Sequence, residues 1–301
     1  MTEASIDTAA DFSLRAHRQE QSSIAGEVER YLRTGETDSL YSAWPGNFLE
    51  RANRAHAGLR GALVSAVIRL SEGGRHQLPP NVDTVALTRT KVEPMVRGFF
   101  PRCERAAVLA MLERSVVFLT SANIERTLMD CSFDSTAWTL ANLYLASIGA
   151  EVLGEDAPRL VGLSEETTCY ISLEYFAEED PFEDFIVHEA AHIFHNCKRA
   201  GLGLRTTRTK EWLLEIDYRK RETFAYSCEA YARVIERAKG CAERQTLVDL
   251  YSRVLRVSDE RVDAAEISDI VREAALAGNG WKVILARCAP RARGARGLQG
   301  F

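Results

Sequence analysis

The stretch from Phe185 to Asn196, FIVHEAAHIFHN, constrains this chain more than any other segment. It holds three of the six histidines, and two of them, His188 and His192, stand four residues apart. On an α-helix, positions i and i+4 lie one turn apart on the same face, so both imidazoles can point at one ion. The neighbours suit that reading: apolar Phe185-Ile186-Val187 precede the pair, small Ala190 and Ala191 sit inside it, and Ile193-Phe194 follow. Asp180-Pro181 offers an N-cap and a first-turn proline, Lys198 and Arg199 favour a C-terminal helix dipole, and Gly201 suits the C′ position. The spacing therefore predicts a helix from about 181 to about Cys197.

Two imidazoles one turn apart fit a tetrahedral zinc, and one zinc ion per chain is the expected cofactor. Glu189 follows the first histidine directly, which puts its carboxylate beside the open coordination position. Zinc lowers the pKa of a bound water toward about 7, and Glu189 is the general base that takes the proton. His195 is a poorer third ligand: seven residues of helix carry it about 10 Å from His188, too far for one ion. It reads instead as an outer hydrogen-bond partner or a surface residue.

The rest of the chain is mostly helix by periodicity. Asn47 with Glu50 three residues on makes a capping box for a helix whose apolar positions run from Leu49 to Leu70. Residues 75–94, with Pro79-Pro80, read as a connection; helical stretches follow at about 101–114, 122–130 and from Asp134. Residues 167–176 alternate apolar and polar, the period of a half-buried strand. A further helical stretch, 210–239, has a break near Tyr218-Arg219-Lys220-Arg221. The expected fold is α+β, predominantly helical, with a small sheet next to the metal-site helix. Its expected parts are a flexible arm (1–35), a helical N-terminal region (36–160), a metal-binding catalytic region (161–286) and a flexible basic tail (287–301) carrying Arg291, Arg293 and Arg296.

The motif, with a strand just before it, resembles the zincin metallopeptidases over roughly residues 165–240. That resemblance implies a zincin-like core, with the 167–176 strand along the cleft as an edge that pairs with extended substrate. The metzincin subgroup does not fit, because its third histidine would fall at Lys198. The gluzincin subgroup implies a glutamate from a downstream helix, and 220–234 offers Glu222 and Glu229, each with alanine three residues on. Tyr226, one turn past Glu222, can accept a hydrogen bond from a ligand ring, whereas Arg233, one turn past Glu229, cannot. Glu222 is therefore favoured and Glu229 is the alternative. Being seven apart the two acids share a side, so one could orient what the other binds. His195 and Tyr226 are candidates for an outer contact or an oxyanion donor; Tyr218 and Tyr231 qualify by type alone.

Composition excludes little and adds no rival. A formal charge of −5 over 301 residues gives no general drive toward nucleic acid or anionic membrane. No apolar run approaches the roughly 18 residues a membrane helix needs, and the N-terminus lacks a secretory pattern. Seven scattered cysteines without a C-x-x-C pair fit reduced thiols, hence a cytoplasmic location. The expected function is a zinc metallopeptidase acting on a peptide or protein. The alternatives are a zincin-like scaffold or binding protein with a structural metal, and a regulatory protease for one partner.

Overall fold

The computed structural model describes residues 23–155, 157, 160–165, 167–177, 180–255 and 262–290. The basic tail beyond 290 and the first 22 residues of the expected arm lie outside the described residues. In chain order the elements are α1 (Ile24–Thr34), α2 (Phe48–Ser71), α3 (Thr84–Phe99), α4 (Arg105–Ser115), β1 (Val116–Phe118), α5 (Ile124–Asp130) and α6 (Asp134–Ser147). They continue with β2 (Gly162–Glu165), β3 (Thr168–Ile171), α7 (Phe185–Asn196), α8 (Arg221–Arg237), α9 (Cys241–Val254), α10 (Ala264–Leu276) and α11 (Gly280–Cys288). The fold is mainly helical with one small sheet, and no helix among the described residues is long and apolar enough to cross a membrane.

The chain divides into two units that interleave along the sequence: residues up to 78, 119–161 and 172–174 form one, and 79–118, 162–171 and 175 onward the other. Residues 79–118, grouped by sequence with the N-terminal helices, thus belong to the unit that carries the histidine motif.

The first unit is organised by Asp134, at the start of α6. Its carboxylate takes Arg60 Nε at 2.6 Å and His56 Nδ1 at 2.5 Å, both from α2. Arg60 Nη1 also donates to the carbonyls of Leu128 and Cys131, which pins the end of α5 to the same point. A buried charge is tolerable only when paired and hydrogen-bonded in this way. Within the expected arm, residues 24–34 form helix α1. Ser23 caps α1, and Tyr31, fully buried, donates from its hydroxyl to the Asp134 carbonyl at 2.7 Å. The Asn47–Glu50 capping box opens α2 with both reciprocal bonds in place.

In the second unit the sheet order is β1-β3-β2, with β1 parallel and β2 antiparallel to β3. This corrects the strand read over 167–176: only Thr168–Ile171 is strand, it is central, and Leu173–Phe176 is a 3₁₀ turn. The edge is β2. The stretch read as a connection contains α3, started by Asp83, whose carboxylate accepts from the amides of Val85 and Ala86. Pro94 lies inside α3 and forfeits one helix bond. Burial of Val92, Met95, Val96 and Phe99 outweighs that loss. Phe99 is the centre of an aromatic group, with ring centroids 5.9 Å from Phe194 on α7, 5.5 Å from Phe224 on α8 and 5.4 Å from Trp281 on α11. A second apolar cluster joins α8, α9 and α10 through Val234, Val248, Tyr251, Ile267 and Val271.

Helix packing around Trp281 leaves no room for a side chain at Gly98, where a Cβ would lie 2.0 Å from the indole. Gly61, exposed on α2, has open space at the same position. Glycine to alanine should therefore have opposite signs at the two sites. Gly61→Ala is expected to stabilise by up to about 1 kcal/mol through helix propensity. Gly98→Ala should destabilise by about 1–3 kcal/mol through overpacking, both read as shifts in the urea midpoint.

Candidate metal centre

Helix α7 begins at Phe185, not near Pro181. Asp180 spends its carboxylate on the amide of Phe182 at 2.7 Å, and Asp184 caps the helix through the amide of Val187. The apolar face of α7, with Ile186, Val187, Ala190, Ile193 and Phe194, is buried in the core. The stretch read as helix from 210 resolves into a 3₁₀ turn, Tyr218–Lys220, followed by α8, so Glu222 stands in the first turn of a helix.

Three side chains converge. His188 Nε2 and His192 Nε2 are 3.3 Å apart, and Glu222 Oε2 lies 3.8 Å from the first and 3.5 Å from the second. Together they form a group able to hold a metal ion. The centre of such a triangle is about 2 Å from each corner, the distance that imidazole nitrogen and carboxylate oxygen keep from zinc-sized metals. Glu229 does not join the triangle. Its Oε2 takes the His188 Nδ1 proton at 3.1 Å and its Oε1 takes the Asp184 amide at 2.6 Å. The acceptor that the sequence argument sought in Tyr226 is therefore Glu229; the Tyr226 ring stands edge-on to His188 with centroids 4.6 Å apart.

The outward nitrogen of His192 is served by a neighbour. His192 Nδ1 lies 3.1 Å from His195 Nε2, and His195 Nδ1 lies 3.0 Å from Asn196 Oδ1. If His195 donates to the Asn196 oxygen, its Nε2 must accept from His192, which frees the His192 Nε2 lone pair for the centre. His195 is buried, not a surface residue. Burial first, and then the neighbouring His192 and Arg221 side chains, push its pKa down to about 3, which keeps the His195 ring neutral for this role. Both ring orientations thus aim Nε2 inward, with the outward Nδ1 on a partner, as the non-ligating nitrogen of a metal-bound histidine is.

The electrostatics also ask for a cation. Burial works against charge on His188, yet its hydrogen bond to Glu229 and the charges of Glu229, Glu189 and Glu222 push its pKa up to about 9. Three carboxylates around two imidazoles leave an excess of negative charge that a proton or a metal ion offsets.

Glu189 meets the sheet. Its Oε2 accepts from the Ser164 hydroxyl on β2 at 2.5 Å, and its side chain lies where a Cβ on Gly162 would be, 2.7 Å from Cγ. Neither residue was singled out from sequence. Of the other sequence candidates, Tyr231 packs against Trp281 with centroids 4.8 Å apart, and Tyr218 is 81% exposed. Cys197 is buried at the end of α7, where burial raises its pKa, and Glu174 lies on the 3₁₀ turn rather than a strand. Comparisons with protein-family models, with curated proteins and with solved structures give no match for this chain.

Zinc titrated as a probe ion into metal-free protein should bind at about one per chain, and His188→Ala or Glu222→Ala should abolish it. Glu229→Gln, which keeps the shape but weakens the hold on His188, should lower affinity about 10- to 100-fold by competition with a chromophoric chelator. Equal loss in Glu222→Ala and Glu229→Ala, with no difference between their glutamine forms, would contradict the separate roles assigned above.

Proposed function

We propose that this chain is a zinc-dependent metallopeptidase with a zincin-like, gluzincin-type site, in which His188, His192 and Glu222 hold the ion. The observation that carries the reading is the three-atom triangle, set on the same helical turn as Glu189. Zinc bound there would supply Lewis acidity and an acidified water at neutral pH. The protein's own groups do the remaining work. Glu189 takes the proton of the attacking water and delivers it to the departing amine. Glu229 and His195 fix the two rings through their outward nitrogens, so the inward lone pairs stay available. β2, the edge of the sheet beside α7, offers backbone groups to which an extended peptide can add as a further strand. The substrate is accordingly an extended peptide segment, free or within a protein.

Two histidines and one carboxylate also suit non-haem iron(II). Glu189 favours hydrolysis, because a base beside the first ligand serves water attack and has no evident part in oxygen chemistry.

Metal analysis of purified protein should find about one zinc, and no comparable iron, per chain. Glu189→Gln should retain that zinc and lower turnover of a quenched fluorescent peptide library by at least about 100-fold. Stoichiometric iron, or full turnover in Glu189→Gln, would overturn the proposal.

A further inference from the structure

The contact between Glu189 and β2 has more in it than packing. Glu189 reaches the sheet through Ser164, and it is 8% exposed. Ser164 has a single proton to give. Its hydroxyl lies 2.5 Å from Glu189 Oε2 and 3.3 Å from the Glu189 carbonyl, so the carboxylate takes the stronger share. Two residues earlier on the same strand face, Gly162 leaves the space that the Glu189 side chain fills. A Cβ there would come within 2.8 Å of Oε1 and 2.7 Å of Cγ. One oxygen is thus held by a hydrogen bond, and the other is kept in place by the shape of the strand.

The register makes this specific. Ser164 pairs with Cys169 and Gly162 with Ile171, both fully buried on β3, so the two β2 residues share the face that these buried side chains occupy. A shift of one residue would turn Leu163 toward α7 and remove both contacts at once.

We propose that Ser164 is a positioning residue for Glu189: it fixes Oε2, and with Gly162 leaves Oε1 as the oxygen that exchanges protons with substrate and water. Its catalytic consequence rests on the peptidase reading; the contact itself does not. Because β2 is also the edge offered to an extended peptide, the base and the substrate backbone are indexed to one strand.

The test separates the two parts. In metal-free protein labelled with ¹³C at glutamate Cδ, the Glu189 signal is assigned by its loss in Glu189→Gln. Ser164→Ala should move that signal, Ser164→Thr should leave it near its original place, and Ser65→Ala, on the exposed face of α2, should not affect it. In zinc-loaded protein, Ser164→Ala should lower kcat on the quenched peptide library about 10- to 100-fold, with KM and zinc content little changed. Ser164→Thr should recover most of that loss, and Gly162→Ala should resemble Ser164→Ala. An unmoved Glu189 signal in Ser164→Ala would overturn the positioning role whatever the activity. A moved signal with unchanged kcat would reduce the contact to a structural tie. A moved signal in a zinc-loaded protein that cleaves no peptide would sink the peptidase reading and leave the positioning intact.

Discussion

Glu229 reaches from α8 to α7 and closes two hydrogen bonds with one carboxylate, the Asp184 amide at Oε1 and the His188 ring at Oε2. The first bond fixes where α7 begins. The second fixes which way its first histidine faces. Asp184 in turn caps α7 and pairs with Lys91 on α3 at 3.0 Å, and Lys91 also takes Glu236 from α8 at 2.8 Å. Burial raises the pKa of Asp184, while the Lys91 charge and hydrogen bond pull it down. Removing one member of such a chain leaves a buried charge without its partner, which costs far more than the pair contributes. Three helices are therefore tied together through the buried carboxylates of Glu229 and Asp184 and through Lys91.

That tie decides which acid reaches the centre. Moving along α8 from Glu229 back to Glu222 corresponds to moving along α7 from Asp184 on to His192, so the helices run antiparallel at the site. Seven residues make about two turns, and both acids face α7. Only one can lie within reach of both Nε2 atoms. Glu229, spent on the amide and the outward nitrogen, is excluded; Glu222 arrives at the inward side. The crowding of carboxylates then raises the affinity of the imidazoles for whatever positive species enters, as the raised His188 pKa reflects.

Much of this was legible because it is local. The histidine pair and the adjacent glutamate follow from helical spacing, as does the Asn47–Glu50 cap, whereas the two downstream acids were implied by the resemblance to gluzincins. What was not legible depends on competition or on long-range register. Asp180 and Asp184 both could start α7, and the choice goes to Asp184 because Glu229 and Lys91, distant in sequence, hold it. Helix α3 was hidden by the turn chemistry of Pro79-Pro80 ahead of it, and the bond lost at its internal Pro94 is outweighed by packing that sequence does not display. β2, Gly-Leu-Ser-Glu, has poor strand propensity, and is a strand because β3 and α7 make it one. His195, read from sequence as an outer hydrogen-bond partner or a surface residue, stands in the first of these places, beside the His192 ring.

The small sheet and the centre support each other. Three strands of three or four residues are too few to stand alone, so they persist because α4 and α7 cover them. One of the covering contacts is a carboxylate, Glu189, held by Ser164 above a fully buried Cys169. Burial, and the Glu189 charge beside it, keep that thiol protonated, which suits it to be an inert filler beneath the strand. A carboxylate that helps to close the fold is held stiffly, and stiffness is what the proton transfer proposed for Glu189 would need. Under that proposal, substitutions at Glu189 would act on stability and chemistry together. Glu222, a quarter exposed and facing the two rings, owes less to the core, so its loss should tell on the centre more than on the fold.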